Sequence, residues 1–165
     1  MRDYIEEINC KLAEKYGVGQ YRAQIVGATR MVIVTGATVL QEESTGNKVV
    51  LNNAYDTQVF HVKRGGTLAY TDTNGMTKEH FYSFNFVLVG VSKRKDTMRI
   101  SRQALEQITD VTVTRFNDNT RDIAKAFLFL ENLDPKYHAF AIEYSIVSSD
   151  PEIDCECLTE RDCEN

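Results

Sequence analysis

The stretch Phe81–Val91, FYSFNFVLVGV, constrains the fold more than any other part of this chain. Side chains on a strand alternate between its two faces. Tyr82, Phe84, Phe86 and Leu88 therefore make one continuous apolar face. The other face begins polar at Ser83 and Asn85 and becomes apolar at Val87, Val89 and Val91. A strand that is apolar on both sides is covered on both sides. This predicts a central strand, or one that turns its second face toward a partner.

The flanking pattern supplies the remaining elements. Ile5, Ile8, Leu12 and Tyr16 recur at helical spacing with charges between them, predicting a leading helix over Tyr4–Tyr16. Asp3 is its expected N-cap, with Glu6 three residues on, and Gly17 its expected stop. Residues 21–91 change to β character. Ile25–Gly27 and Met31–Leu40 are rich in Val, Ile and Thr, and Lys48–Asn52 is expected to be a further strand after a turn at Ser44–Asn47. A second turn is expected at Lys63–Gly66. Thr67–Thr71 then pairs with Phe81–Val91 as a hairpin closed around Asp72-Thr73-Asn74-Gly75.

Further on, Ser101–Ile108 reads as a short helix and Val111–Arg115 as a strand. Asn117–Thr120 offers N-caps for a helix carrying Ile123, Ala126, Phe127, Leu130 and Leu133, which Asp134-Pro135 ends. Tyr137–Val147 alternates, with Phe140, Ile142, Tyr144 and Ile146 on one face. The fold class expected is α+β: a mainly antiparallel sheet, read as a meander, with an N-terminal helix and one or two helices packed on one face.

The formal charge of −5 over 165 residues divides unevenly. Residues 150–165 carry seven acids and one base, a net −6, whereas residues 1–149 are nearly neutral at +1. The chain is therefore read as one α+β domain over 1–149 followed by an acidic, Cys-containing tail over 150–165. A neutral body with an acidic tail is not the electrostatic footprint of a nucleic-acid binder, and no sequence-specific nucleic-acid partner is expected. The one basic cluster is Lys93, Arg94, Lys95, Arg99 and Arg102. These bases, and the acids Asp150, Glu152, Asp154 and Glu156 as their counter-charge, are the candidate interaction residues. A solvated loop is the other reading of the cluster.

No run of about 18 apolar residues occurs, so no membrane partner is expected. The acidic N-terminal sequence lacks an apolar signal core, which leads us to expect a cytoplasmic chain with reduced thiols.

Chemistry-bearing residues are few. Cys155, Cys157 and Cys163 are spaced as weak candidates for metal ligands, with Cys10, His138 or a residue of another subunit as the fourth donor. Their spacing is not C-x2-C, and reduced, solvent-facing thiols or a disulfide are the other readings. His61, His80 and His138 are expected to be structural. Adjacent residues on a strand, such as Glu79 and His80, face opposite ways and cannot act on one atom. No G-x-S-x-G, H-E-x-x-H, P-loop or G-x-G-x-x-G motif occurs. No enzyme activity and no cofactor are expected.

The order of elements resembles the small connector proteins of tailed bacteriophages: the neck, head-completion and tail-terminator subunits. The segments that carry the resemblance are Tyr4–Tyr16, Tyr82–Val91, Arg121–Leu133 and Ala139–Val147. The sequence departs from that layout in its Cys-bearing tail and in the extra strands between Ala23 and Thr71. The resemblance implies a structural virion protein, assembled in a host cytoplasm as a homo-oligomeric ring that contacts neighbouring structural proteins. It carries over no functional residue, because such subunits work through shape and subunit contacts. Two other classes stay open: a metal-binding or redox-responsive module using the C-terminal cysteines, and a small ligand-binding or enzymatic domain with a His and a carboxylate in a pocket.

Overall fold

A computed structural model describes residues 3–17, 22–74 and 77–148. The leading helix, α1, spans Tyr4–Tyr16. Its caps are the expected ones. The Asp3 carboxylate accepts from the Glu6 N–H at 3.0 Å, and Gly17 ends the helix at φ 85°. Both devices act within one turn, which is why the sequence specified them.

Six strands form one sheet in the order β2-β1-β3-β4-β6-β5. They are β1 (Ala23–Val34), β2 (Ala37–Glu42), β3 (Thr57–Asn74), β4 (Thr77–Ser92), β5 (Val111–Asn117) and β6 (His138–Ser148). Every neighbouring pair is antiparallel except β1 and β3, which run parallel. The helices α2 (Thr97–Glu106) and α3 (Thr120–Ala126) complete the α+β domain.

The doubly apolar strand is central. β4 lies between β3 and β6, and both its faces are buried by residues of this same chain. Phe86 and Leu88 join Phe140, Ile142, Tyr144 and Ile146 beneath α1 and α2. Val87, Val89 and Val91 join Ile123, Phe127, Leu130 and Tyr137 on the opposite face, under α3. Fully burying such side chains contributes on the order of 2 kcal/mol each, so β4 anchors both cores. At Gly90 the pairing is tight: a Cβ built there would lie 2.1 Å from the ring of Phe140, its cross-strand partner. Only glycine leaves room for that ring.

Four local expectations are corrected. Met31–Leu40 is not one strand: it turns at Thr35–Gly36, both at positive φ (52° and 80°), and pairs β1 with β2. Two such residues are what a two-residue hairpin turn requires, though Thr tolerates that conformation poorly. Lys48–Asn52 forms no strand, only a single bridge from Lys48 to Gln41. Lys63–Gly66 is not a turn but a register shift inside β3, which continues to Asn74. The hairpin connection itself, residues 75–76, lies outside the described residues. Finally, the helix expected to run to Leu133 is interrupted. α3 ends at Ala126, Phe127 is extended at φ −123°, and Leu128–Leu130 is a 3-10 turn. Ile123, Phe127 and Leu130 all remain in the core across the break.

Candidate interaction site

The sheet has two unlike ends. At the first, β3 begins at Thr57, β4 finishes at Ser92 and β6 begins at His138, all in register. The basic segment follows directly. Lys93, Arg94 and Lys95 form the loop that leads into α2, and Arg99 and Arg102 lie on the helix.

This basic end is built on buried hydroxyls. Ser92 Oγ accepts from Thr97 Oγ1 at 2.7 Å and from the Arg94 N–H at 3.1 Å. With both lone pairs used, its own proton goes to Thr57 Oγ1 at 2.8 Å. One turn along α2, Ser101 donates to the Thr97 carbonyl at 2.6 Å, and so accepts from the Tyr16 hydroxyl at 2.5 Å. Burial raises the Tyr16 pKa, opposed by its hydrogen bond to Ser101. The network ties the loop of bases to β3, β4 and α1.

The bases themselves find local counter-charges. Lys93 lies 3.7 Å from Asp56, Arg94 3.0 Å from Asp96, Arg99 4.0 Å from Asp96 and Arg102 3.8 Å from Glu106. Five bases set against three acids leave the segment positive, and exposed pairs of this kind hold their partners by at most about 1 kcal/mol. Two of the cations also stack on aromatic rings: Arg102 4.5 Å from the centre of Phe116, and Lys93 5.7 Å from that of Tyr137. Phe116 is one of the exposed large apolar residues, 49% accessible. Its role as a platform for Arg102 was not foreseen from sequence, because the two meet only when β5 is laid beside α2.

A half-open cavity of about 180 Å³ lies against the same loop, lined by Arg94, Lys95, Met98, Asp118, His138 and Phe140. It is the place where a histidine and a carboxylate share a pocket, although its volume is below the few hundred Å³ usual for a small-molecule site. A second, of about 200 Å³, lies on the α3 face between Arg64, Arg115, Phe116 and Phe127.

The other end of the sheet frays into ribbons. β1 pairs with β3 only as far as the Thr29–Val62 pair, and beyond that it pairs with β2 alone. β6 leaves β4 at the Tyr82–Ser148 pair. Among the described residues, Tyr70–Asn74 and Thr77–Phe81 then pair only with one another, as a two-stranded arm about 17 Å long. The arm was missed in the sequence because Lys63–Gly66 looks like a turn and hides the continuity of β3.

The acidic residues Asp150, Glu152, Asp154 and Glu156, and the candidate ligands Cys155, Cys157 and Cys163, fall outside the described residues. Among the described residues no group of three His, Cys, Asp or Glu is gathered for a metal ion. Cys10 is disulfide-bonded, a departure from the reduced thiols expected. His138 lines the cavity at the basic end, and His80 sits on β4 opposite Thr71.

His61 is fully buried between the sheet and α1. Its Nε2–H donates to Asn9 Oδ1 at 2.6 Å, which leaves Nδ1 to accept from the Tyr144 hydroxyl, also at 2.6 Å. Burial lowers its pKa to about 3, so the ring stays neutral with both nitrogens occupied. This is a structural role.

No protein-family model and no curated protein matches this chain. No described helix is long and apolar enough to cross a membrane.

Proposed function

We propose that this protein is a structural subunit of a homo-oligomeric ring, of the virion head–tail connector type that its element order resembles, and that it acts through assembly. One observation carries the reading: the molecule has opposite, dissimilar ends. β6 spans ten residue steps from His138, beside the basic loop, to Ser148, beside the arm, a separation of about 34 Å. The acidic tail therefore starts at the arm end.

Asp150, Glu152, Asp154 and Glu156 follow Ser148 by two to eight residues, a reach of at most about 28 Å. The chain's own Lys93, Arg94 and Lys95 lie beyond that backbone reach, at the far end of β6, although Arg102, over Phe116 opposite Ile142, lies within it. Complementary charge at two ends of one molecule favours a head-to-tail contact, in which the arm end of one copy meets the basic end of the next. Contacts of this heterologous kind close into rings when the rotation allows. An isolated two-stranded ribbon is at best marginally stable in water, which also favours a neighbour for the arm.

The experiment is the native mass of the purified protein. Six or twelve copies support a connector ring, and a monomer removes the reading. Deleting residues 150–165 should lower the particle mass, and raising salt should weaken the same contact. An assembly indifferent to both would show that the tail plays no part in it.

A further inference from the structure

The half-open cavity of about 180 Å³ at the basic end draws its lining from separate parts of the chain. Arg94 and Lys95 come from the loop after β4, Met98 from the first turn of α2, and His138 and Phe140 from the start of β6. Asp118 completes the wall, one residue beyond the end of β5. Ser92 pairs with His138 across the β4–β6 ladder, which brings the basic loop and the histidine to one place.

The floor of this cavity is apolar and fixed. The Phe140 ring lies against Gly90, and Met98 packs on the same core. The rim is cationic. The Arg94 backbone N–H donates to Ser92 Oγ at 3.1 Å, and one guanidinium N–H donates to Asp96 Oδ2 at 3.0 Å. That bond holds the side chain in place and leaves its other donors open. Asp96 is shared with Arg99 at 4.0 Å, so it only partly offsets Arg94. Among the described residues, the Lys95 and His138 side chains have neither an ion pair nor a hydrogen bond. Arg94 and Lys95 outnumber Asp118, so the lining is positive even with His138 neutral. An apolar floor keeps water from screening those charges fully.

Such a lining selects its ligand by shape as well as by charge. A planar carboxylate offers two oxygens in one plane. A tetrahedral phosphoryl group offers three or more, which a guanidinium fork, an ammonium and an imidazole N–H engage from different directions. The cavity is too small for a drug-sized ligand, and its open side leaves a substituent in solvent. We propose that this cavity binds the phosphoryl group of inorganic phosphate or of a small phosphomonoester. Arg94, Lys95 and His138 hold its oxygens, and Asp118 is the like charge that limits its affinity. The site rests on the cavity and its lining, and it stands or falls separately from the ring.

The test is calorimetric titration of the full chain with inorganic phosphate, glycerol 3-phosphate and acetate at one ionic strength. The expected result is one saturable phosphoryl site per chain and no saturable binding of acetate. Lys95→Met, at an exposed side chain that makes no bond in the fold, should weaken phosphate binding about tenfold, and Arg94→Met should do the same. Asp118→Asn should tighten it, a gain that a merely structural role would not produce. Lys125→Met, on α3, should leave it unchanged. Tighter binding of glycerol 3-phosphate than of phosphate assigns the site to phosphomonoesters, and equal or weaker binding assigns it to free phosphate; both sustain the proposal. Phosphate binding that does not saturate, that acetate matches, or that Lys125→Met weakens as much as Lys95→Met is general charge attraction and overturns it.

Discussion

The two ends of the sheet are made of the same kind of strand but are held together differently. At the basic end, Thr57, Ser92, Thr97, Ser101 and Tyr16 interlock through buried hydroxyls, so the start of β3 and the end of β4 are pinned to α2, and α2 to α1. At the arm end the sheet divides into β1–β2 and β3–β4 ribbons, and Tyr70–Phe81 pair only with each other among the described residues. The difference teaches where stability and where adaptability reside. A fully satisfied buried network fixes one geometry, whereas a two-stranded ribbon has little to hold it until something packs on it.

The comparison can be broken most sharply at Ser92. Replacing Ser92 with Ala removes the acceptor of Thr97 Oγ1 and of the Arg94 N–H, and should cost about 3 kcal/mol in chemical denaturation. A loss under 1 kcal/mol would mean that the basic end is not held by this network.

The middle of the sheet is probed by pH. His61 has its folded pKa lowered to about 3 by burial, below the unfolded value near 6.5. Its contribution is complete above the unfolded pKa and is lost as pH falls from about 6.5 toward about 3. Between pH 7 and pH 5 the protein should lose about 2 kcal/mol of stability, and the variant His61→Gln should lack that slope.

At the arm end, Thr35 sits at φ 52° in the β1–β2 turn. Thr35→Asn should raise stability by about 1 kcal/mol, read as a higher denaturation midpoint.

The smallest effect on folding is expected from the arm itself. Replacing Tyr70–Phe81 with a two-residue Asn-Gly turn should change the stability of the monomer by no more than about 1 kcal/mol, while it lowers the native mass of the assembly. A large loss of stability would show that the arm belongs to the folded body, and the contrast between the two ends would disappear.

The legible parts of the sequence were those whose cause is local. The α1 caps act within one turn, and the alternation of Tyr137–Val147 survives intact in β6, where Phe140, Ile142, Tyr144 and Ile146 all enter one core. The charge of the Lys93–Arg102 segment was legible too. That it grows from a buried hydroxyl network was not, since Tyr16 and Ser101 are 85 residues apart. Arg121–Leu133 looked like one helix because its apolar spacing allowed it, but the segment packs on the sheet as two short pieces, and helix propensity is a weak preference that tertiary context overrides.

By itself, the sequence determined that β4 would be covered on both faces, that the fold would be α+β, and that acidity would be confined to the last sixteen residues. These follow from side-chain periodicity and charge count, which need no knowledge of neighbours. Only the tertiary structure decided that α3 rather than another subunit covers the second face of β4, that β3 runs through an apparent turn into an arm, and that the acidic tail leaves from the end opposite the basic loop. The physical reason is that strand pairing joins residues distant in sequence, so register and direction are set by the whole sheet and not by any one segment.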